Sequence, residues 1–176
     1  TKAMNSNWDL DQAAALIVCS AEAAERAGVA RDRWLFPHSG TDGADTNFVS
    51  NRADLHSSPA IRVAGRKAMA LAGVTPDDID HIDLYSCFPS AVQIAATEME
   101  LGIDRQLTQT GGLTFAGGPL NNYVTHSIAT MANVLREDAG TIGLCSANGG
   151  YITKHAFGLY STNPPSNGFQ HQDCQT

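Results

Sequence analysis

The stretch from Ile79 to Met99 constrains the fold more than any other part of the sequence. Its first half alternates, with Ile82 and Leu84 set against Asp83 and Tyr85, as in a strand with two unlike faces. It then reaches Pro89, which suits the first turn of a helix, and Val92, Ala95, Ala96 and Met99 recur at helical spacing up to Gly102. A strand that runs straight into a helix leaves Tyr85, Ser86, Cys87 and Phe88 at its C-terminal end, where α/β proteins collect their chemistry.

Comparable units lie on either side. Residues 13–20, AAALIVCS, form an apolar run without alternation, which predicts a strand buried on both faces. A helix over Ala21–Ala27 follows, capped by Ser20, with Glu22 and Glu25 toward its N-terminus and Gly28 placed to end it. Trp34-Leu35-Phe36 reads as a short strand closed by Pro37, and His38 to Ser58 as a long polar loop. Ser58 and Pro59 open a helix that carries Ile61, Ala64, Ala68 and Leu71 on one stripe and stops at Gly73. After a Gly-rich loop over Gly111–Tyr123, Val124–Glu137 has the stripe of an amphipathic helix: Val124, Ile128, Met131, Ala132 and Leu135. Thr141–Ser146 and Tyr151–Tyr160 read as strands joined through Gly149-Gly150, hence as antiparallel neighbours. The order β-α-β-α-β-α-α-β-β predicts an α/β fold: a five-stranded mixed sheet with helices on both faces.

A chain of 176 residues suits one domain over residues 1–160, with residues 161–176 as a linker or the start of a further segment, on the composition STNPPSNG. Residues 1–8 read like chain interior, so both ends look cut. Only 16% of residues are charged, which predicts surface covered by another chain or domain. The net charge of −7, with no basic run, excludes a nucleic-acid footprint. No apolar run reaches the roughly 20 residues of a membrane span. Four dispersed cysteines, with no C-x-x-C pair, predict reduced thiols and a cytoplasmic location. His38, His56, His81, His155 and His171 have no Cys or His at ligand spacing, so no metal site is expected. The paired glycines match neither a P-loop nor a dinucleotide fingerprint.

Three motifs in order then carry a resemblance. Tyr85-Ser86-Cys87-Phe88 lies where thiolases have Asn-Glu-Ala-Phe and sterol-carrier-type thiolases His-Asp-Cys-Phe. Gly111-Gly112 with Gly117-Gly118-Pro119-Leu120 lies where the family has Gly-Gly and then Gly-His-Pro-Leu-Gly, and Cys145 to Gly150 lies at its Cys-x-Gly motif. With the DQAAALIVCS opening, these make residues 11–160 resemble the C-terminal half of a thiolase-superfamily enzyme, of the acetyl-CoA acetyltransferase or sterol-carrier-type thiolase-like kind. The resemblance implies a half-domain that pairs with an N-terminal half bearing the acylated cysteine, a homo-oligomer when full length, and an acyl-CoA substrate with no further cofactor.

It also implies roles. Cys145 takes the place of the acid/base cysteine, a thiol whose ordinary pKa of about 8.5 needs only a modest shift. Cys87 and Phe88 fall where the family lines the pantetheine channel. Gly117 and Gly118 fall where backbone approaches the thioester, and Ala147, Asn148 and Gly149 on the loop that supplies a backbone oxyanion donor. The family's histidine falls at Gly118, which can take no proton, so His126 and Tyr123 are candidates to replace it. Tyr85 stands where the family has Asn or His, and it resembles the tyrosine of thiolase-fold aldolases that cleave β-hydroxyacyl-CoA. Acyl transfer or thiolysis, aldol cleavage with Tyr85 in proton transfer, and a non-catalytic acyl-CoA-binding scaffold are thus the three readings. The 176 residues alone are expected to be inactive.

Overall fold

The computed structural model describes residues 4–174; residues 1–3 and 175–176, the outer ends of the stretches that read as interior chain and as linker, lie outside the described residues. Five strands form one mixed sheet: β1 (Phe36–Ala44), β2 (His81–Asp83), β3 (Gly143–Gly149), β4 (Lys154–Ser161) and β5 (Gln170–Cys174), in the spatial order β2-β3-β4-β1-β5. β2 and β3 are parallel, β4 runs against both β3 and β1, and β5 is parallel to β1.

The α-helices among the described residues are α1 (Ala21–Arg26), α2 (Pro59–Ala72), α3 (Pro89–Glu98), α4 (Gly112–Phe115) and α5 (Tyr123–Glu137). Local signals set their ends. Ser58 Oγ accepts the Ile61 N–H at 3.2 Å, Pro59 fills the first turn of α2, and Gly73 closes it with φ 72°. A cap of that kind stabilises a helix by about 1 kcal/mol. α2 and α3 bury Ile61, Ala64, Ala68, Ile94 and Ala95 against Ile82, Leu144, Phe157 and Leu159 on one face of the sheet. α5 covers the opposite face, where Met131 and Leu135 enclose Cys145.

The sheet differs from expectation in its membership. Residues 13–20 are not a strand: they run without regular structure, with Ile17 94% and Val18 90% exposed. An apolar run becomes a strand only where another strand takes its N–H and C=O groups, and none does so among the described residues. β1 instead extends Phe36 through Pro37 into the polar segment read as a loop. It is held against α2 by hydroxyls, with Ser39 Oγ donating to Ala68 O at 2.7 Å and Thr41 Oγ1 to Ala64 O at 2.8 Å. Pro37 is tolerated at a register shift in the β1–β4 ladder. Residues 170–174, assigned by composition to a linker, form β5 at the sheet edge, with Cys174 buried in the core.

Candidate functional site

β2 and β3 are register-matched at Asp83 and Cys145, so the segments that leave them emerge at the same end of the sheet. Three loops meet there. The Tyr85 N–H donates to Ser146 Oγ at 2.8 Å, the Leu113 N–H to Ser86 Oγ at 3.0 Å, and Asn148 Nδ2 to Cys87 Sγ at 3.6 Å. Gly112 is required at the second contact. Its φ is 77°, and a Cβ there would lie 2.7 Å from Ser86 Oγ.

A fourth segment, running from Asn7 into the DQAAALIVCS opening, braces the Gly-rich loop. The Asn7 N–H donates to Leu113 O at 2.9 Å, the Gly118 N–H to Asn7 O at 2.8 Å, and Gln12 Nε2 to Ala116 O at 2.9 Å.

Beneath the loops Asp83 is fully buried and accepts five hydrogen bonds. Tyr123 Oη and Ser127 Oγ, one turn apart on α5, donate to Oδ1 at 2.7 and 2.8 Å. Thr108 Oγ1 and the Gln109 and Thr110 N–H groups donate to Oδ2 at 3.1, 2.8 and 3.2 Å. The carboxylate thereby fixes the loop before Gly111 and the start of α5. The Tyr123 ring stands edge-on to Tyr85 with centroids 5.5 Å apart, so it passes that order on to the site.

The two cysteines of the motifs differ sharply. Cys145 is 3% exposed and faces α5. Burial, with a smaller contribution from the Asp83 charge, pushes its thiol up to about 12, against a hydrogen bond with Ser127. At neutral pH it is a core thiol and a poor proton acceptor. Cys87 is half-buried at the entry to α3. Burial raises its pKa, opposed by hydrogen bonds from the backbone of Phe88 and of Cys87 and from Asn148. Tyr85, on the other flank, is raised by burial and then by the neighbouring Cys87, so its phenol stays protonated.

The remaining expected residues fall around this pair. Phe88 is 49% exposed at the mouth, as the residue preceding Pro89. Ala147, Asn148 and Gly149 form the partly open end of β3. A Cβ on Gly118 would lie 2.6 Å from Leu113 Cδ2 and 2.8 Å from Ser6 Oγ, and one on Gly117 would strike Leu10. The space a side chain at residue 118 would enter is therefore filled. His126 lies in the first turn of α5, and among the described residues its imidazole makes no hydrogen bond. A histidine not singled out, His155, lines a small cavity with Tyr85, Ser146 and Asn148.

Residues 41–104 match the family model described as thiolase C-terminal domain-like. An acetyl-CoA acetyltransferase of Methanocaldococcus jannaschii is 36% identical over 78 residues, 44% of this chain and 20% of that protein. A 3-ketoacyl-CoA thiolase of Alcanivorax borkumensis is 30% identical over 138 residues, 77% of this chain and 33% of that protein. The crystal structure of a monomeric SCP2-thiolase like protein type 1 from Mycobacterium smegmatis superposes with a TM-score of 0.78 at 39% identity, over 82% of this chain and 33% of that one. The chain thus spans a fifth to a third of the length of these relatives.

Proposed function

The chain belongs to the thiolase superfamily, as a counterpart of its C-terminal domain, and from that premise we propose that it supplies the acid/base thiol and the thioester-facing loops of an acyl-CoA acyl-transfer or thiolysis site. The observation that carries the reading is the meeting of three loops around Cys87, with Asn148 donating to its sulfur. In the synthetic direction a cysteine from an N-terminal thiolase-type half accepts the acyl group and coenzyme A departs as the thiol. Cys87 then takes the α-proton of a second acyl-CoA, and the carbanion attacks the acyl-cysteine and releases the nucleophilic cysteine. Thiolysis runs the same steps backwards. Cys87 rather than Cys145 fills the role because it is open to the site and its thiolate has a donor. The backbone N–H groups of Ala147 to Gly149 border the place where an enolate oxygen would develop.

Aldol cleavage would need Tyr85 to accept a proton from a β-hydroxyl. Burial raises both groups, but the phenol starts from about 10 and the thiol from about 8.5, and Asn148 donates to the sulfur of Cys87, which weighs for acyl transfer.

The test uses this chain assembled with a thiolase-type N-terminal half, given acetyl-CoA in D2O, with NMR following deuterium into the methyl group. Exchange is expected, lost in Cys87→Ser and kept in Cys19→Ser. Exchange that survives Cys87→Ser and disappears in Cys145→Ser overturns the assignment. No exchange with acetyl-CoA bound leaves the scaffold reading.

A further inference from the structure

Behind the site lies a buried polar unit that the acyl-transfer reading does not use. Asn148 and His155 are partners across the β3–β4 ladder, so their side chains share the face covered by α2 and α3. Asn148 spends Nδ2 on Cys87 Sγ, while its Oδ1 is buried without a hydrogen-bond partner. The His155 side chain is 1% exposed, and its Nε2 is likewise unpartnered, 3.4 Å from Asp45 Oδ2 and outside hydrogen-bond geometry. Asp45 is already engaged at the start of α2, accepting from Ser58 Oγ and from the Ala60 N–H. Both orphaned residues border one cavity of about 10 Å³, closed by Ile61, Ala91, Ala95 and Phe157. That is room for about a single water, and a cavity with polar walls is the kind that holds one.

We propose that one buried water joins Asn148 to the His155–Asp45 pair, and that His155 is thereby a positioning residue for the Cys87 thiol. The Asp45 carboxylate beside Nε2 favours the tautomer of the neutral ring that carries its proton on that nitrogen, which makes Nε2 a donor. The water accepts from His155 Nε2–H and donates one hydrogen to Asn148 Oδ1. With Oδ1 held, the amide cannot turn over, and Nδ2 stays aimed at Cys87, where it stabilises the thiolate over the thiol. Asp45 Oδ2, 3.4 Å from the same nitrogen, holds that tautomer. The charged groups set against His155 are Asp45 and Arg52, and the titratable neighbour of Cys87 is Tyr85. The catalytic meaning rests on Cys87 being the acid/base; the linkage itself does not.

The experiment is the pH profile of iodoacetamide alkylation of Cys87, resolved by peptide mass spectrometry, with exposed Cys19 as internal reference. His155→Leu and Asp45→Leu are expected to slow Cys87 about three- to tenfold near pH 7.5, by removing support for a donor to the thiolate, and to move its midpoint upward. His155→Gln, which keeps a polar atom in the cavity, is expected to lie between them and the unmodified protein. Cys19 stays constant throughout. An unchanged Cys87 profile in folded variants overturns the proposal. So does a high-resolution crystal structure of the unmodified protein with no water between Asn148 and His155, a measurement that needs no variant to fold. A shifted profile without deuterium exchange into acetyl-CoA retains the linkage and removes the acyl-transfer reading; exchange with an unshifted profile does the reverse.

Discussion

Replacing Asp83 tests whether one buried carboxylate organises the site. In Asp83→Ala the Gln109 and Thr110 N–H groups lose their acceptor and, being backbone, cannot turn elsewhere. Each such orphan costs about 1–3 kcal/mol. The hydroxyls suffer less, because Tyr123 Oη retains Thr110 Oγ1 at 2.7 Å and the Ser127 hydroxyl can rotate. With the space left by the carboxylate, the expected loss is about 3–6 kcal/mol, at least about a fifth of an ordinary domain's stability. Asp83→Asn should be far milder, about 1–2 kcal/mol, since its carbonyl can face the two N–H groups while its NH2 meets hydroxyls that can reorient. Urea unfolding of the three proteins measures this, provided the m-value is unchanged. The reasoning fails if Asp83→Ala costs under about 1 kcal/mol, or if Asn is as damaging as Ala, which would make the charge rather than the acceptor geometry the stabilising property.

Three further outcomes follow from the packing. In the native protein Cys19 should alkylate first and Cys87 more slowly, with Cys145 unreactive until unfolding; labelling of Cys145 at the rate of Cys19 would contradict its burial. Gly118→His should not rebuild a family-like histidine but destabilise by about 2 kcal/mol through collision with Leu113, and Leu113→Ala in the same chain should recover part of that loss; additive effects in a thermal-unfolding cycle would refute the clash. His155 has its pKa lowered, first by burial and against the Asp45 charge, so the unfolded chain binds more protons than the folded one below about pH 6.5. Stability should therefore fall as pH drops from 7.5 through 6.5 toward the folded-state pKa, and His155→Gln should flatten that slope in denaturation series; equal slopes would show that His155 does not titrate with unfolding.

What the sequence disclosed follows the range of the forces involved. Helices α2, α3 and α5 and the β3–β4 pairing carry their signals within a few residues, as caps, prolines, glycines and apolar stripes. β1 escaped notice because Ser39 and Thr41 are buried through hydroxyls bonded to α2, so the strand shows no apolar alternation. Residues 13–20 misled for the converse reason, since an apolar run records a tendency to pair and not a partner. The site was legible as three motifs, yet not which thiol faced it: Asp83 and Cys145 share a register and Asn148 belongs to the other face, a distinction of one residue in the pleat. Tyr123 and Ser127, four apart on α5, were a readable signal that something polar lay under that helix. No spacing links Asp45 to His155.

The strand order also sets the sequence of events in folding. β1 sits between β4 and β5, and its ladder partners lie far along the chain, Phe36 with Ser161 and Gly43 with Cys174. Neither edge of β1 can close until more than a hundred further residues have been made, and such distant pairings are entropically slow to form. During synthesis α2 can meet α3 early, but the part of its apolar face that packs on Phe157 and Leu159 waits for β4. Synthesis therefore passes through a long interval of exposed surface, ended when β4 and β5 join β1, so yield in a cell is governed by how well that interval is protected as much as by the stability finally reached.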